Sequence, residues 1–414
     1  MSATHNTPHL VLHVSKLWLI LAAAIVLVPW GLLLVIHSHE QAQSEHSTSL
    51  WTVPSHKGPW GELKVIRIVT EPPAESLTSY LDYPAPTWFF KGYTPEAYRQ
   101  LLASAGLTPS QREALAAAAV WDAKNTEVSV KPDDDLVRSL SPESRAALYG
   151  ALSLFPQNVF QNEPFRFRAD LANEWFANSG VPQEVVDRVF RLTYRRGKTL
   201  LFSDPHLVVP TVASAPEQIR LLKTMARQST LMVQVHITEK SDIDALVNYW
   251  SAVEGRAKDI RPILESIAKV PGGYDVDISH LLPRFARKRV YTYPSYSGDK
   301  GEVLYDCHWN SMNFFNDPPD DRFSDPATVI RALETDYTQV IDDFRFGDVV
   351  LFMRSNTQAI HSAVYIADNI VFTKNGPNLH SPWILMQLET LVSHYSTNVD
   401  LQLRGYRKKA APHP

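Results

Sequence analysis

The chain has 414 residues, 20% charged and 44% hydrophobic, with a formal net charge of −4 and a pI near 6.4. That length supports two or three buried cores, and the acidic balance without any long like-charge block excludes a general nucleic-acid binder. Cys307 is the only cysteine, which excludes an intrachain disulfide and a cysteine-based zinc cluster.

Leu17 to Ile36 carries no charged residue. Twenty helical residues span about 30 Å, the thickness of a bilayer's hydrocarbon core. Lys16 precedes the span, and no Lys or Arg follows until Lys57. The sequence thus predicts a short cytoplasmic tail (1–16), one transmembrane helix (17–36) and a body outside the cytosol. The run is longer than a signal peptide's apolar region, and no Ala-x-Ala cleavage site follows it. Residues 37–59 are polar and read as a linker.

Residues 60–272 read as a mixed, helix-rich region of unassigned role. Its first segment, Gly61 to Val69, alternates like a strand. Thr94-Pro95, Thr108-Pro109 and Ser141-Pro142 each open an apolar-periodic helix. Pro182 to Leu192 is a further amphipathic helix, and Thr199–Asp204 and Thr230–Ile237 look like strands. Ser241 to Val270 is a long helical stretch that Pro262 is expected to kink or split. The acidic run Asp133-Asp134-Asp135 suits helix capping or a solvated loop.

Residues 273–414 change pattern. Trp309, Met312 and Phe315 form an apolar stripe on a helix that begins near Cys307. Asp325-Pro326 opens a second helix, with Val329, Leu333, Tyr337 and Val340 on its buried stripe. Strands are expected at Asp348–Met353, His361–Ala367 and Asn369–Asn375. Ser381-Pro382 opens a last helix running to Tyr395, and Asp400 to Lys408 forms a final strand. Antiparallel strands with helices on one side give an α+β domain.

The lone thiol and the histidine that heads a strand define the candidate chemistry. A thiol attacks only as thiolate, and a helix N-terminus or a neighbouring imidazolium lowers its pKa. Cys307 lies where a helix should start, and the same N–H groups could hold an oxyanion. His361 would approach across the sheet. A third residue should orient it. If the following hairpin has a three-residue loop, Ala367 to Asn369, then Asn375 lies opposite His361 and can accept from its ring. A two-residue turn instead puts Gly376 there and Lys374 on the same face. His380 is a competing candidate. His308 is expected to face away from the thiol, and no metal or nucleotide motif appears.

Asp306-Cys307, then Phe346-Gly347-Asp348-Val349-Val350-Leu351-Phe352, then His361-Ser362-Ala363-Val364-Tyr365 resemble the NlpC/P60 family of cysteine peptidases. The family's usual pattern is Asp-Cys-Ser-Gly, then Gly-Asp-Leu-Val-Phe-Phe, then His-Val-Gly-Ile-Tyr. The resemblance covers about residues 290–409. It implies a papain-like α+β core with Cys307 as nucleophile, His361 as general base and a third polar residue near Thr373 to Asn375. It also implies a peptidoglycan peptide as substrate, with which a periplasmic body held to the inner membrane by the span agrees. No cofactor is expected, since no metal or nucleotide motif appears. His308-Trp309 replaces the family's Ser-Gly, and no histidine stands at the third position. Those departures leave open a non-catalytic wall-binding or scaffold protein, and an acyltransferase or thioesterase using the same dyad.

Overall fold

Hydroxyl–proline pairs set the helix starts of the middle region. Thr94, Thr108 and Ser141 each accept the N–H of the residue three positions on, with proline at the first helical position. The helices run Pro95–Ser104, Pro109–Ala117 and Pro142–Leu152. Gln111 also returns a bond to the Thr108 N–H, completing a capping box. Buried Tyr98, Leu102, Leu115 and Leu148 pack with Phe167, Val189 and Leu201 in one core. Two three-stranded antiparallel sheets border it: Trp88–Lys91, Glu127–Val130 and Ala119–Trp121, and Phe165–Arg168, Thr199–Phe202 and Tyr194–Arg196. Within this core the Arg145 guanidinium donates to Asp204 at 2.6 Å, and the Tyr149 hydroxyl donates to the other carboxylate oxygen at 2.6 Å. A buried ion survives only with partners of this kind.

The computed structural model describes residues 52–81, 85–169, 172–197, 199–252, 255–295, 305–395 and 401–409. The expected cytoplasmic tail, membrane span and most of the linker lie outside them. Among the described residues no helix is long and apolar enough to cross a membrane. Residues 55–414 form one compact unit of mixed α and β structure.

The helical stretch before 272 breaks before Pro262. One helix, Ile243–Ser251, ends at Ala252 (φ 50°), and Ala257–Ala268 carries Pro262 inside it. The positive φ of Ala252 and Gly255 turns the chain there, whereas Pro262 removes one ladder bond from a helix that keeps the rest.

Strand β1 (Glu62–Thr70) pairs along its length with β2 (Gln228–Ile237), and β2 pairs with β3 (Tyr274–Asp277). The boundary placed at 272 thus falls between two strands of one sheet, at a turn made by Gly272 and Gly273 (φ 82° and 81°).

The C-terminal part comprises α1 (Cys307–Met312), α2 (Pro326–Asp336), β4 (Tyr337–Val340), β5 (Val349–Ser355), β6 (Gln358–Ala367), β7 (Ile370–Lys374), β8 (Trp383–Gln387), α3 (Leu388–Tyr395) and β9 (Gln402–Lys408). Six strands form an antiparallel sheet in the order β4-β9-β5-β6-β7-β8. Side chains alternate across it. Val349, Leu351 and Met353 meet Met312 of α1 and Val329 and Leu333 of α2. Val350, Phe352, Ala363, Tyr365 and Val371 meet Leu388 and Leu391 of α3.

Helices therefore cover both faces, not one as the sequence suggested. The last helix is also shorter than expected. Trp383–Gln387 adds a strand to β7 and buries Ile384 and Leu385, and α3 starts only at Leu388. Likewise Tyr337 and Val340 leave the helical stripe for β4, though Tyr337 still joins the α2 core. The Thr230 hydroxyl on β2 donates to the Leu385 carbonyl (3.1 Å) and accepts from the Leu385 N–H (3.0 Å). The middle region is thereby bonded to the edge of the C-terminal sheet.

Candidate active site

Asp306 starts α1: its carboxylate accepts the Trp309 N–H at 2.9 Å. That N–H, one of those expected to hold an oxyanion, is thus already occupied. Trp309 and Met312 are buried as the stripe predicts, while Phe315 lies beyond the helix end. The Ser362 hydroxyl ties α1 to β6 at 3.0 Å from the Cys307 carbonyl and 3.0 Å from the Ser311 hydroxyl. Cys307 is buried, 7% exposed. Burial pushes its pKa up to about 12, the Asp306 charge adds to the rise, and hydrogen bonds from Ser362 oppose it. The thiol is therefore not a ready thiolate.

The Gly-Asp pair shapes the entry to β5. Gly347 has φ +92°, and a Cβ there would stand 2.4 Å from the Phe315 ring. Asp348 is 2% exposed and accepts from the Arg345 N–H (2.8 Å) and from both arms of Arg407 (2.9 and 2.7 Å). Its role is structural, fixing the strand next to the one that carries His361.

His361 is 1% exposed. Its ring stacks on Tyr395 of α3 with centroids 4.2 Å apart and meets Phe352 edge-on at 5.4 Å. The Nε2 atom lies 2.8 Å from Thr373 Oγ1, and the Thr373 hydroxyl donates to Asn375 Oδ1 at 3.2 Å. Thr373 has one hydroxyl proton, and that bond uses it, so its oxygen accepts from His361. The network thus assigns the imidazole proton to Nε2. Nδ1 is left as a buried basic nitrogen with no hydrogen-bond partner among the described residues. Burial, and then the charge of His308, hold the His361 pKa well below the usual histidine range.

Asn375 does not touch the ring directly; Thr373 stands between them. The hairpin turns on two residues, Asp368 and Asn369 (φ 46° and 60°). A bulge between Tyr365 and Ala367 then shifts the ladder, so that Tyr365 faces Val371 and Val364 faces Phe372. Continued along the strands, this register sets Thr373 across from Ala363 on the histidine's face and Asn375 across from His361, just past the end of β7. The short turn and the longer loop's register occur together because of the bulge. Lys374 points to the other face, where its Nζ donates to the carbonyls of Gly376 (2.6 Å) and Asn378 (3.2 Å). Burial draws its pKa down to about 8. His380 Nε2 lies 3.1 Å from the Ser76 carbonyl.

His308 does not face away from the thiol. A ring nitrogen of His308, the Cys307 sulfur and an Asp306 oxygen all lie within 4.8 Å of one another. Its Nδ1 is buried without a hydrogen-bond partner among the described residues, and burial lowers its pKa. No earlier helical turn crowds a side chain in the first turn, so helical spacing does not fix its direction. These three donors are close enough to share one metal ion. Sequence reasoning expected no metal there and missed both His308 and the clamp made by Ser362. A serine inside the otherwise apolar run of β6 was the available signal, since a buried hydroxyl needs a partner.

The constellation can do one kind of chemistry directly. One imidazole stands close to the thiol: a ring nitrogen of His308 lies within 4.8 Å of the Cys307 sulfur, the arrangement for proton removal during nucleophilic attack. His361 lies on the α3 face with Phe352 and Tyr395, whereas Ser362 beside it points to the α1 face. Compared with family models, curated proteins and solved structures, the chain matches none.

Proposed function

We propose that the chain is a cysteine hydrolase with a papain-like, NlpC/P60-type C-terminal core that cleaves amide bonds in peptidoglycan peptides. In this reading Leu17 to Ile36 anchors it in the inner membrane with its body in the periplasm. One observation carries the proposal: the His361–Thr373–Asn375 series, which fixes the proton on Nε2 and leaves Nδ1 free, on the strand whose next residue, Ser362, clamps α1 from the opposite face through the Cys307 carbonyl. His361 Nδ1 takes the thiol proton as Cys307 Sγ bonds to the carbonyl carbon. The C–N bond then breaks, and His361 returns the proton to the leaving amine. Water, deprotonated by the same nitrogen, releases the acid and restores the thiol. His361 is the base and Thr373 its positioning residue, with Asn375 behind. Cleavage of wall stem peptides by the full chain, lost in Cys307→Ala, tests the reading.

A second reading draws on the thiol's burial and its pKa near 12. Under it the same domain docks on wall material without turnover, and binding is unchanged by Cys307→Ser.

A further inference from the structure

Beside the outer end of the His361 series lies a cavity of about 750 Å³. Asn375 and His394 form its C-terminal side, and Arg67, Arg166, Arg195 and Arg227 reach it from the middle region. Glu389 is the one carboxylate among the lining residues. Four guanidiniums and one carboxylate line it, and with Arg227 paired to Glu71 behind the wall the lining still carries a cationic excess in a chain whose net charge is −4.

These arginines are not equivalent. Arg227 is committed, 2.6 Å from Glu71 and bonded to the Trp175 carbonyl. Arg166 and Arg195 make no ion pair and no side-chain hydrogen bond among the described residues. Arg166 is half-buried on its strand, and burial draws its pKa below the ordinary arginine value. A half-buried cation without a paired counter-charge is costly, and an anion entering the cavity removes that cost. Phe167, Trp175 and Leu385 supply apolar wall between the charges. Guanidinium forks with apolar surface between them suit a planar or tetrahedral oxyanion on a carbon skeleton.

We propose that this cavity binds a small anionic ligand, a carboxylate or phosphate on a partly apolar body, held by Arg166 and Arg195. The site does not depend on the chemistry of Cys307, and its test reads binding rather than turnover.

The test is calorimetric titration of the full-length chain with inorganic phosphate and with glutarate, at low and at high salt. At least one probe binds with one-to-one stoichiometry and weakens as salt rises. Arg166→Gln and Arg195→Gln each weaken it by roughly tenfold or more, the loss of one charge-assisted bond. Glu389→Gln tightens it, and Arg404→Gln, whose guanidinium bonds to Asn356, leaves it unchanged. Binding of phosphate alone assigns a phosphate ligand, and binding of glutarate alone a carboxylate. Arg195 is exposed, so its variant keeps the fold and carries the test even if Arg166→Gln does not fold. No binding of either probe at millimolar concentration, or binding unaltered by both substitutions, overturns the proposal.

Discussion

Thr373 carries more of the site than its size suggests. Its single hydroxyl decides which imidazole nitrogen of His361 holds the proton, and so which one is free to act as base. Thr373→Val keeps the shape and removes that bond. A buried N–H without a partner costs about 1–3 kcal/mol, so the variant melts earlier. In the proposed reaction, turnover falls roughly tenfold or more, short of the roughly 10²–10⁴-fold loss that follows removal of a general base. Imidazole nitrogen NMR separates positioning from packing. The unaltered chain shows His361 protonated at Nε2, and the valine variant shows a mixture of tautomers. An unchanged tautomer and unchanged turnover would remove Thr373 from the account.

At the scale of elements, Gly347 is the point where backbone geometry and packing meet. An alanine there takes a strained positive φ, about 1–2 kcal/mol, and drives its Cβ into the Phe315 ring. Gly347→Ala should lower stability by roughly 2 kcal/mol or more in urea titration, and a loss below about 0.5 kcal/mol contradicts that packing. Strands β5, β6 and β7 were legible because each is a run of mostly buried apolar residues bounded by turn residues. The segment Trp383–Gln387 was not, because an unbroken apolar run carries neither period and only its pairing with β7 makes it a strand. Site geometry was legible to the same depth. Cys307 at a helix start and His361 on a strand followed from local pattern. The position of Thr373 depended on a bulge at Ile366, and the approach of His308 on side-chain direction in a first turn. Asp348 could not be matched to Arg407, since that contact joins strands far apart in the chain.

Across the whole molecule, buried histidines tie stability to pH. Burial holds His206 and His380 at about 4, and holds His361 and His394 well below the usual value. An unfolded histidine takes up its proton near pH 6.5, and each tenfold gap in proton affinity between the two states is worth about 1.4 kcal/mol. Between about pH 6.5 and 4 the unfolded chain therefore binds more protons than the folded one, and stability falls as pH falls. Asp204 acts in the opposite sense: burial raises its carboxyl to about 6, so the folded form holds that proton more tightly. One such group stands against five histidines, since burial lowers the His308 pKa as well. The urea midpoint at pH 5 should lie below that at pH 7.5, and an equal or higher midpoint at pH 5 contradicts the neutral, buried state assigned to them.

The same neutral state frames the central claim that Cys307 and His361 act together on an amide. The most direct measurement is mass-spectrometric detection of products after incubating the full chain with purified wall stem peptides, beside Cys307→Ala and His361→Ala. The account predicts cleavage by the unaltered chain and loss by a factor of about 10² or more in each variant, with melting curves showing all three folded. Product from Cys307→Ala, or none from the unaltered chain, would contradict it.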